Sequence, residues 1–206
     1  MAEVVKNLIK LLELESIGPN KFRGHSQDLG YAKLFGGQVI GQALSAASQT
    51  QQERSAHSLH AYFIRPGDAQ NPIEFDVENV RDGRSFSVRR VIASQFGKPI
   101  LALTASFQKQ EDGIEHQVAM PNVPGPDVLE PELKLFRDHA HEIPERVRSQ
   151  FTADRPIEYR IVEAQNPFRP RHGIAKRHMW IRSTARLPDN PLIHQSMLAY
   201  TTDYGF

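Results

Sequence analysis

The apolar positions of the chain follow two periods, and the change from one to the other organises its first hundred residues. In Leu34-Phe35-Gly36-Gly37-Gln38-Val39-Ile40-Gly41-Gln42-Ala43-Leu44-Ser45-Ala46-Ala47-Ser48, the residues Val39, Ile40, Ala43, Leu44 and Ala47 recur at i, i+1, i+4, i+5 and i+8. That spacing paints one face of an α-helix, and Gly37, Gly41 and Ser45 leave a second face almost without side chains. A glycine inside a helix costs about 1 kcal/mol against alanine, so Gly41 predicts a tight neighbour, expected to be the concave face of a sheet. By itself this describes a well-packed core helix and says nothing of function. An earlier helical stretch, Met1 to Glu15, spaces Val4, Val5, Leu8, Ile9, Leu11 and Leu12 around Lys6 and Lys10 and is expected to end near Ile17-Gly18-Pro19. It lacks the unbroken apolar core of a signal peptide. A strand is predicted at Lys21 to Gly24, then a loop at Ser26 to Tyr31 leading to Phe35-Gly36-Gly37, where the central helix begins.

After the polar run Gln49 to Arg54 the period becomes two. His57 to Ile64, Ile73 to Arg81, Ser85 to Gln95 and Ile100 to Gln108 all alternate. They are separated by Arg65-Pro66-Gly67-Asp68, Asp82-Gly83 and Gly97-Lys98-Pro99, which are turn signals. The pattern is a helix followed by an antiparallel meander, an α+β arrangement. From Glu111 to Pro156 the prolines at 121, 124, 126, 131, 144 and 156 interrupt any long element, although Pro131 to Ala140 can make a short helix. Ile157 to Ala164 is extended, Asn166 to Gly173 is a loop, His178 to Arg186 alternates again, and Leu192 to Tyr204 turns helical. The organisation expected is a first unit at 1–110, a proline-rich linker at 111–156 and the start of a second unit at 157–206. If the second unit repeats the first, a meander of about 60 to 70 residues should follow its helix. The expectation is a fragment of a protein of roughly 280 residues, or a partner chain that supplies the missing sheet.

Composition narrows the class. Of 206 residues, 39% are hydrophobic and 24% charged, with a formal net charge of +1, which excludes disordered, fibrous and membrane-embedded chains. The near-neutral, scattered charge gives no field for nucleic acid, so no nucleic-acid partner and no membrane span are expected. The chain has no cysteine. It therefore has no disulfide framework, no thiolate nucleophile and no cysteine-ligated metal, and an intracellular compartment is expected.

Several residues are candidates for chemistry, each with a plainer reading beside it. His57 stands at a strand start, where it can act as a general base or serve as a hydrogen-bonded structural residue; His60 is the weaker case. Gly36 and Gly37 open a helix whose free backbone amides can polarise a carbonyl, or they simply make a tight turn. Arg81-Asp82-Gly83-Arg84 reads as a hairpin, its arginines also able to meet phosphates. His172, His178 and His194 lack metal-ligand spacing, and no metal site is expected.

Phe22-Arg23-Gly24, Phe35 to Ala43, His57-Ser58-Leu59-His60-Ala61-Tyr62-Phe63-Ile64-Arg65-Pro66-Gly67-Asp68, Arg81-Asp82-Gly83-Arg84-Ser85-Phe86 and Thr104-Ala105-Ser106-Phe107-Gln108 together resemble the type II acyl-CoA thioesterases, the family of bacterial thioesterase II. The likeness continues through Asp154-Arg155-Pro156, Asn166-Pro167, Trp180-Ile181-Arg182 and His194 to Asp203. The resemblance implies a double hotdog, two tandem units each with a central helix wrapped by an antiparallel sheet. It implies hydrolysis of medium- or long-chain fatty acyl-CoA to free fatty acid and CoA, with no metal or organic cofactor. It further implies a water held by an aspartate, a threonine or serine, and a glutamine of the second unit. The aspartate maps onto Asp203 and the other two lie beyond Phe206; Thr201 and Thr202 do not fill that role.

For Asp203 the plainer reading is a loop-capping or solvent-facing carboxylate. A rival to the enzyme is a non-catalytic acyl-CoA-binding or assembly module that lacks the rest of the water site. A hotdog hydratase should carry a histidine and aspartate before the helix, for which only His25 and Asp28 stand near. The resemblance also implies a homo-oligomer, dimer or tetramer, and a cytoplasmic bacterial protein, or a peroxisomal one if eukaryotic.

Overall fold

The computed structural model describes residues 2–30, 33–51, 53–163 and 176–204. Its elements run α1 (Glu3–Leu12), β1 (Glu15–Gly18), β2 (Lys21–Gly24), α2 (Gly36–Gln49), β3 (Ser55–Phe63), β4 (Ile73–Asp82), β5 (Phe86–Gln95), β6 (Lys98–Gln108), α3 (Glu132–Asp138), α4 (Glu145–Thr152), β7 (Ile157–Ile161), β8 (Met179–Ser183) and α5 (Pro191–Thr201). The chain divides into two compact units, one of Asn7–Asp112 with Leu187–Phe206 and the other of Met1–Lys6 with Gly113–Arg186.

In the first of these, six strands form one antiparallel sheet in the order β1-β2-β4-β5-β6-β3. The alternation read from the sequence is the alternation of burial: Ile73, Phe75 and Val77 of β4 face in between exposed neighbours, and Val91 and Ala93 of β5 between neighbours that are exposed or partly so. Leu101, Leu103, Ala105 and Phe107 of β6 also face in, with Ile100 buried beside Leu101. Against this face lies α2, buried from Gly37 to Ala47. Each fully buried Leu, Ile or Phe contributes about 1.5–3 kcal/mol, so the helix is held by the sheet and not by its glycine-containing sequence.

Three expectations shift. The first helix stops at Leu12, and Glu15–Gly18 pairs with β2 through a turn at Pro19 and Asn20, where Asn20 adopts φ 55°. A two-residue turn with a left-handed asparagine makes a hairpin out of what reads as a helix end. The tight neighbour of Gly41 is not a sheet: a Cβ there would lie 2.9 Å from Leu12 Cδ2 and 3.0 Å from the carbonyl oxygen of Ser196 on α5. The small face of α2 thus admits another helix to near backbone contact. Prolines, finally, begin helices as well as interrupt them. Pro131 and Pro144 stand at the N-caps of α3 and α4, and Pro191 opens α5, positions at which a missing N–H leaves no intrahelical bond unmade.

The second unit holds α3 and α4, which bring the rings of Phe136 and Phe151 to 5.1 Å, and the β7–β8 hairpin paired from Ile157↔Ser183 to Ile161↔Met179. Arg155 lies over the Phe136 ring at 5.3 Å and pairs with Glu132 at 3.4 Å. The predicted loop at Asn166 to Gly173 lies outside the described residues.

Candidate active site

Two helices that are far apart in sequence pack side by side. α5 begins at Asn190, whose side chain caps the helix by accepting the Leu192 N–H at 3.0 Å. It runs antiparallel to α2, so that its C-terminal end reaches the start of α2, and Gln195 fixes it to β3 by bonding both the carbonyl (2.9 Å) and the N–H (3.3 Å) of Ala56. The helix predicted to reach Tyr204 ends at Thr201 and tightens into a turn, with Thr202 N–H donating to the Ala199 carbonyl and Tyr204 N–H to that of Thr201. Asp203 sits in that turn, past the helix proper.

The start of α2 has no side-chain cap of its own, because Phe35 at the N-cap carries no acceptor. Asp203 takes that place from the other helix: the Gly37 N–H donates to Asp203 Oδ2 at 3.0 Å. Gly36 and Gly37 are needed for the approach. A Cβ at Gly36 would fall 2.6 Å from Asp203 Oδ2 and 2.6 Å from Phe63 Cζ, and one at Gly37 would strike the carbonyl oxygen of Tyr200. The Phe35 ring also meets Tyr200 edge-on at 5.0 Å.

Asp203 is half-buried at a cavity of about 430 Å³ whose walls include Leu34, Gly36, Val39, Phe63 and Leu101. Burial raises its carboxyl pKa from the ordinary 3.8, and the N–H groups of Gly37 and Gly36 oppose the rise without cancelling it. A carboxylate so placed is a stronger proton acceptor than one in water.

The other predicted residues are placed elsewhere. His57 is the extra residue of a bulge in β3, exposed, with Nε2 2.8 Å from Ser106 Oγ and its ring against Phe86. Six residues of strand, about 20 Å, separate it from Phe63 at the cavity. His60 stacks edge-on with Tyr62 on the exposed side of the strand. Arg81 and Arg84 flank a turn in which their carbonyls accept from Arg89 and Arg54. Asp28 bonds Gly30 N–H and Gln70, and His25 offers its carbonyl to Gln38 and Gln42, so they do not make a catalytic pair. His178 bonds Glu163, His194 bonds the Pro188 carbonyl, and His172 lies outside the described residues. Among the described residues no three histidines or carboxylates cluster to hold a metal. Thr201 and Thr202 turn their hydroxyls back onto Leu198 and Ala199. The cavity walls at Leu34 and Phe63 were given no role from the sequence, although Leu34 opens the central-helix stretch and Phe63 lies near the end of the alternating run His57 to Ile64, just before Arg65-Pro66-Gly67.

Two family descriptions match the chain, "Acyl-CoA thioesterase N-terminal domain" over residues 25–108 and "Acyl-CoA thioesterase" over residues 146–206. The chain is 45% identical over 205 residues to acyl-CoA thioesterase 2 of Haemophilus influenzae, covering 99% of this sequence and 72% of that one. Among solved structures, an acyl-CoA thioesterase II from Mycobacterium marinum superposes with a TM-score of 0.73 at 37% identity, over 97% of this chain and 69% of that one. A hot dog protein from Alicyclobacillus acidocaldarius, at 20% identity and a TM-score of 0.71 over 96% of this chain and 68% of that one, agrees in fold. With a buried helix wrapped by an antiparallel sheet and matches of this extent, the chain belongs to the acyl-CoA thioesterase family of thioester hydrolases with the hot dog fold.

Proposed function

We propose that the protein hydrolyses medium- and long-chain fatty acyl-CoA to free fatty acid and CoA, with Asp203 as the general base that orients and deprotonates the attacking water. The observation that carries this reading is the Asp203 carboxylate docked on the Gly37 amide at the edge of an apolar cavity. The acyl chain lies against Leu34, Val39 and Phe63, and the thioester carbonyl stands beside Asp203. Water adds to the carbonyl carbon while its proton passes to Asp203; the tetrahedral oxyanion then collapses, the C–S bond breaks, and the CoA thiolate leaves and takes up the proton. Gly36 and Gly37 serve differently from their first reading. The Gly37 N–H is engaged by Asp203, so the helix start orients the base instead of polarising the substrate. In this account α5 opens the second hotdog unit, a threonine or serine and a glutamine beyond Phe206 complete the hold on water, and the protein is a cytoplasmic homo-oligomer if bacterial, a peroxisomal one if eukaryotic.

The test is a single turnover of octanoyl-CoA by excess full-length protein in ¹⁸O water. Direct attack by an Asp203-activated water places ¹⁸O in the octanoate of that first turnover. Unlabelled octanoate would show that a protein carboxylate oxygen was transferred, and the general-base role would fall.

A further inference from the structure

The connection between β3 and β4, Ile64 to Pro72, supplies Arg65, Pro66 and Gly67 to the rim of the Asp203 cavity. Its first residues hang on β6: the Ile64 N–H (2.8 Å) and Arg65 N–H (3.3 Å) donate to the Ile100 carbonyl, and the Arg65 guanidinium donates to that of Pro99 at 2.8 Å. An isolated bridge joins Lys33 and Asp68, and what ties the far end, from Asp68 to Pro72, to the sheet is the side chain of Gln95, the last residue of β5. Gln95 is 6% exposed, in a position where the strand's alternation points inward. A buried amide is unfavourable unless its groups are bonded, and all of this one's are. Oε1 accepts the Asp68 N–H at 2.8 Å, while Nε2 donates to the carbonyls of Asp68 at 2.8 Å and Asn71 at 2.7 Å. The amide thus does for the loop backbone what a neighbouring strand would do.

The loop passes its position on. Gly67 sits directly on Leu34: the Leu34 N–H donates to the Gly67 carbonyl at 3.1 Å, and a Cβ at Gly67 would lie 2.5 Å from Leu34 Cδ1. Leu34 is itself a cavity wall and stands two residues before Gly36, where α2 begins. Asp68 closes the loop on itself, its carboxylate accepting from Gln70 N–H and Asn71 Nδ2, so the segment moves as a piece whose height above the sheet Gln95 fixes.

We propose that Gln95 is a positioning residue for acyl recognition, holding the Asp68–Asn71 end of the loop and through it the adjoining Gly67–Leu34 wall in register with the cavity beside Asp203. This rests on the reading of that cavity as the acyl site. Gln95 touches neither Asp203 nor Gly37, so its loss weakens binding in proportion to the length of acyl chain laid on the wall and spares the chemical step.

The experiment uses the full-length protein, its Gln95→Ala and Gln95→Glu variants, and non-hydrolysable butyl-, octyl- and hexadecyl-CoA thioethers as probes, with dissociation constants from calorimetry and kcat on the matching thioesters. Gln95→Ala is expected to weaken hexadecyl-CoA about tenfold and butyl-CoA less than about twofold, with kcat kept within about threefold. Exchange of the Asp68 amide hydrogen should quicken at least about tenfold. Gln95→Glu keeps the shape and the acceptor for Asp68 N–H but turns an oxygen on the Asp68 and Asn71 carbonyls, so it should rank the three probes by length at least as steeply as Gln95→Ala, and it carries the test if the alanine variant does not fold. Equal weakening of all three probes, or unchanged affinity, overturns the proposal, since a merely structural residue lowers the folded fraction without ranking ligands by length. The thioethers report on Gln95 whether or not Asp203 is the base; retained turnover in Asp203→Asn would refute that assignment alone.

Discussion

Gly37→Ala is the sharpest perturbation of the helix junction. The added Cβ would enter the shell of the Tyr200 carbonyl oxygen, well inside the 3.0 Å below which real Cβ contacts essentially do not occur, and lie 2.5 Å from Phe35 Cε1. The Phe35 ring can turn away, but the Tyr200 carbonyl is helix backbone. Restoring van der Waals distance requires α2 and α5 to part by roughly 1 Å. The Gly37 to Asp203 hydrogen bond, 3.0 Å in the native structure, does not survive such a shift. Overpacking costs about 1–3 kcal/mol and the lost bond to a carboxylate about 1.5–3 kcal/mol. Alanine returns about 1 kcal/mol of helix propensity, leaving a net destabilisation of about 1.5–5 kcal/mol. For a chain of this size that lowers Tm by about 3–20 °C. Because a 1 Å misplacement of the base costs about 10²-fold in rate, kcat should fall by a similar factor in the protein that remains folded. Calorimetric melting with thioester hydrolysis measures both. Gly113→Ala is the control, since a Cβ there meets nothing within 4 Å. A Gly37→Ala protein that melts within about 1 °C of wild type at full activity would refute the close α2–α5 contact.

Burial raises the Asp203 pKa, so kcat/KM should climb with pH through an apparent pKa above the ordinary 3.8, and an acid limb at or below 3.8 would contradict the site's desolvation. The same shift fixes the sign for stability. The fold favours protonated Asp203, a contribution fully present below pH 3.8 and lost as pH rises through the folded value, so uncharged Asp203→Asn should melt no lower than wild type at pH 7. His57→Ala should leave kcat within about twofold, given the roughly 20 Å of strand between it and the cavity; a drop of 10²-fold or more would return His57 to the mechanism. Phe75→Ala, truncating a fully buried ring, should cost about 3–5 kcal/mol in denaturant unfolding without changing KM, and a cost below about 1 kcal/mol would place Phe75 outside the core.

The strands and the central helix were legible because each carries one unbroken period: Ile73, Phe75 and Val77 alternate as they are buried, and Val39, Ile40, Ala43 and Leu44 fall on one helical face. Gly41 announced a close neighbour but not which one, since a small residue records only that something is near; Leu12 and Ser196 come from opposite ends of the chain. The β1–β2 hairpin was hidden because Ile17-Gly18-Pro19 reads as a helix stop and the turn depends on a left-handed Asn20. In the site, Asp203 and Gly36-Gly37 were each visible as members of motif words. Their meeting was not, because 166 residues separate Asp203 from Gly37 and local pattern carries no long-range register. Gln95 was invisible for the same reason: in sequence it is one polar residue at the end of an alternating run.

The central claim is that Asp203 activates the water, and the most direct test is kcat of full-length Asp203→Asn on octanoyl-CoA, with folding checked by its melting temperature. Asparagine keeps an acceptor for the Gly37 N–H but not the capacity to take a proton, so kcat should fall about 10²–10⁴-fold with Tm unchanged or raised. Turnover within about threefold of wild type would contradict the account.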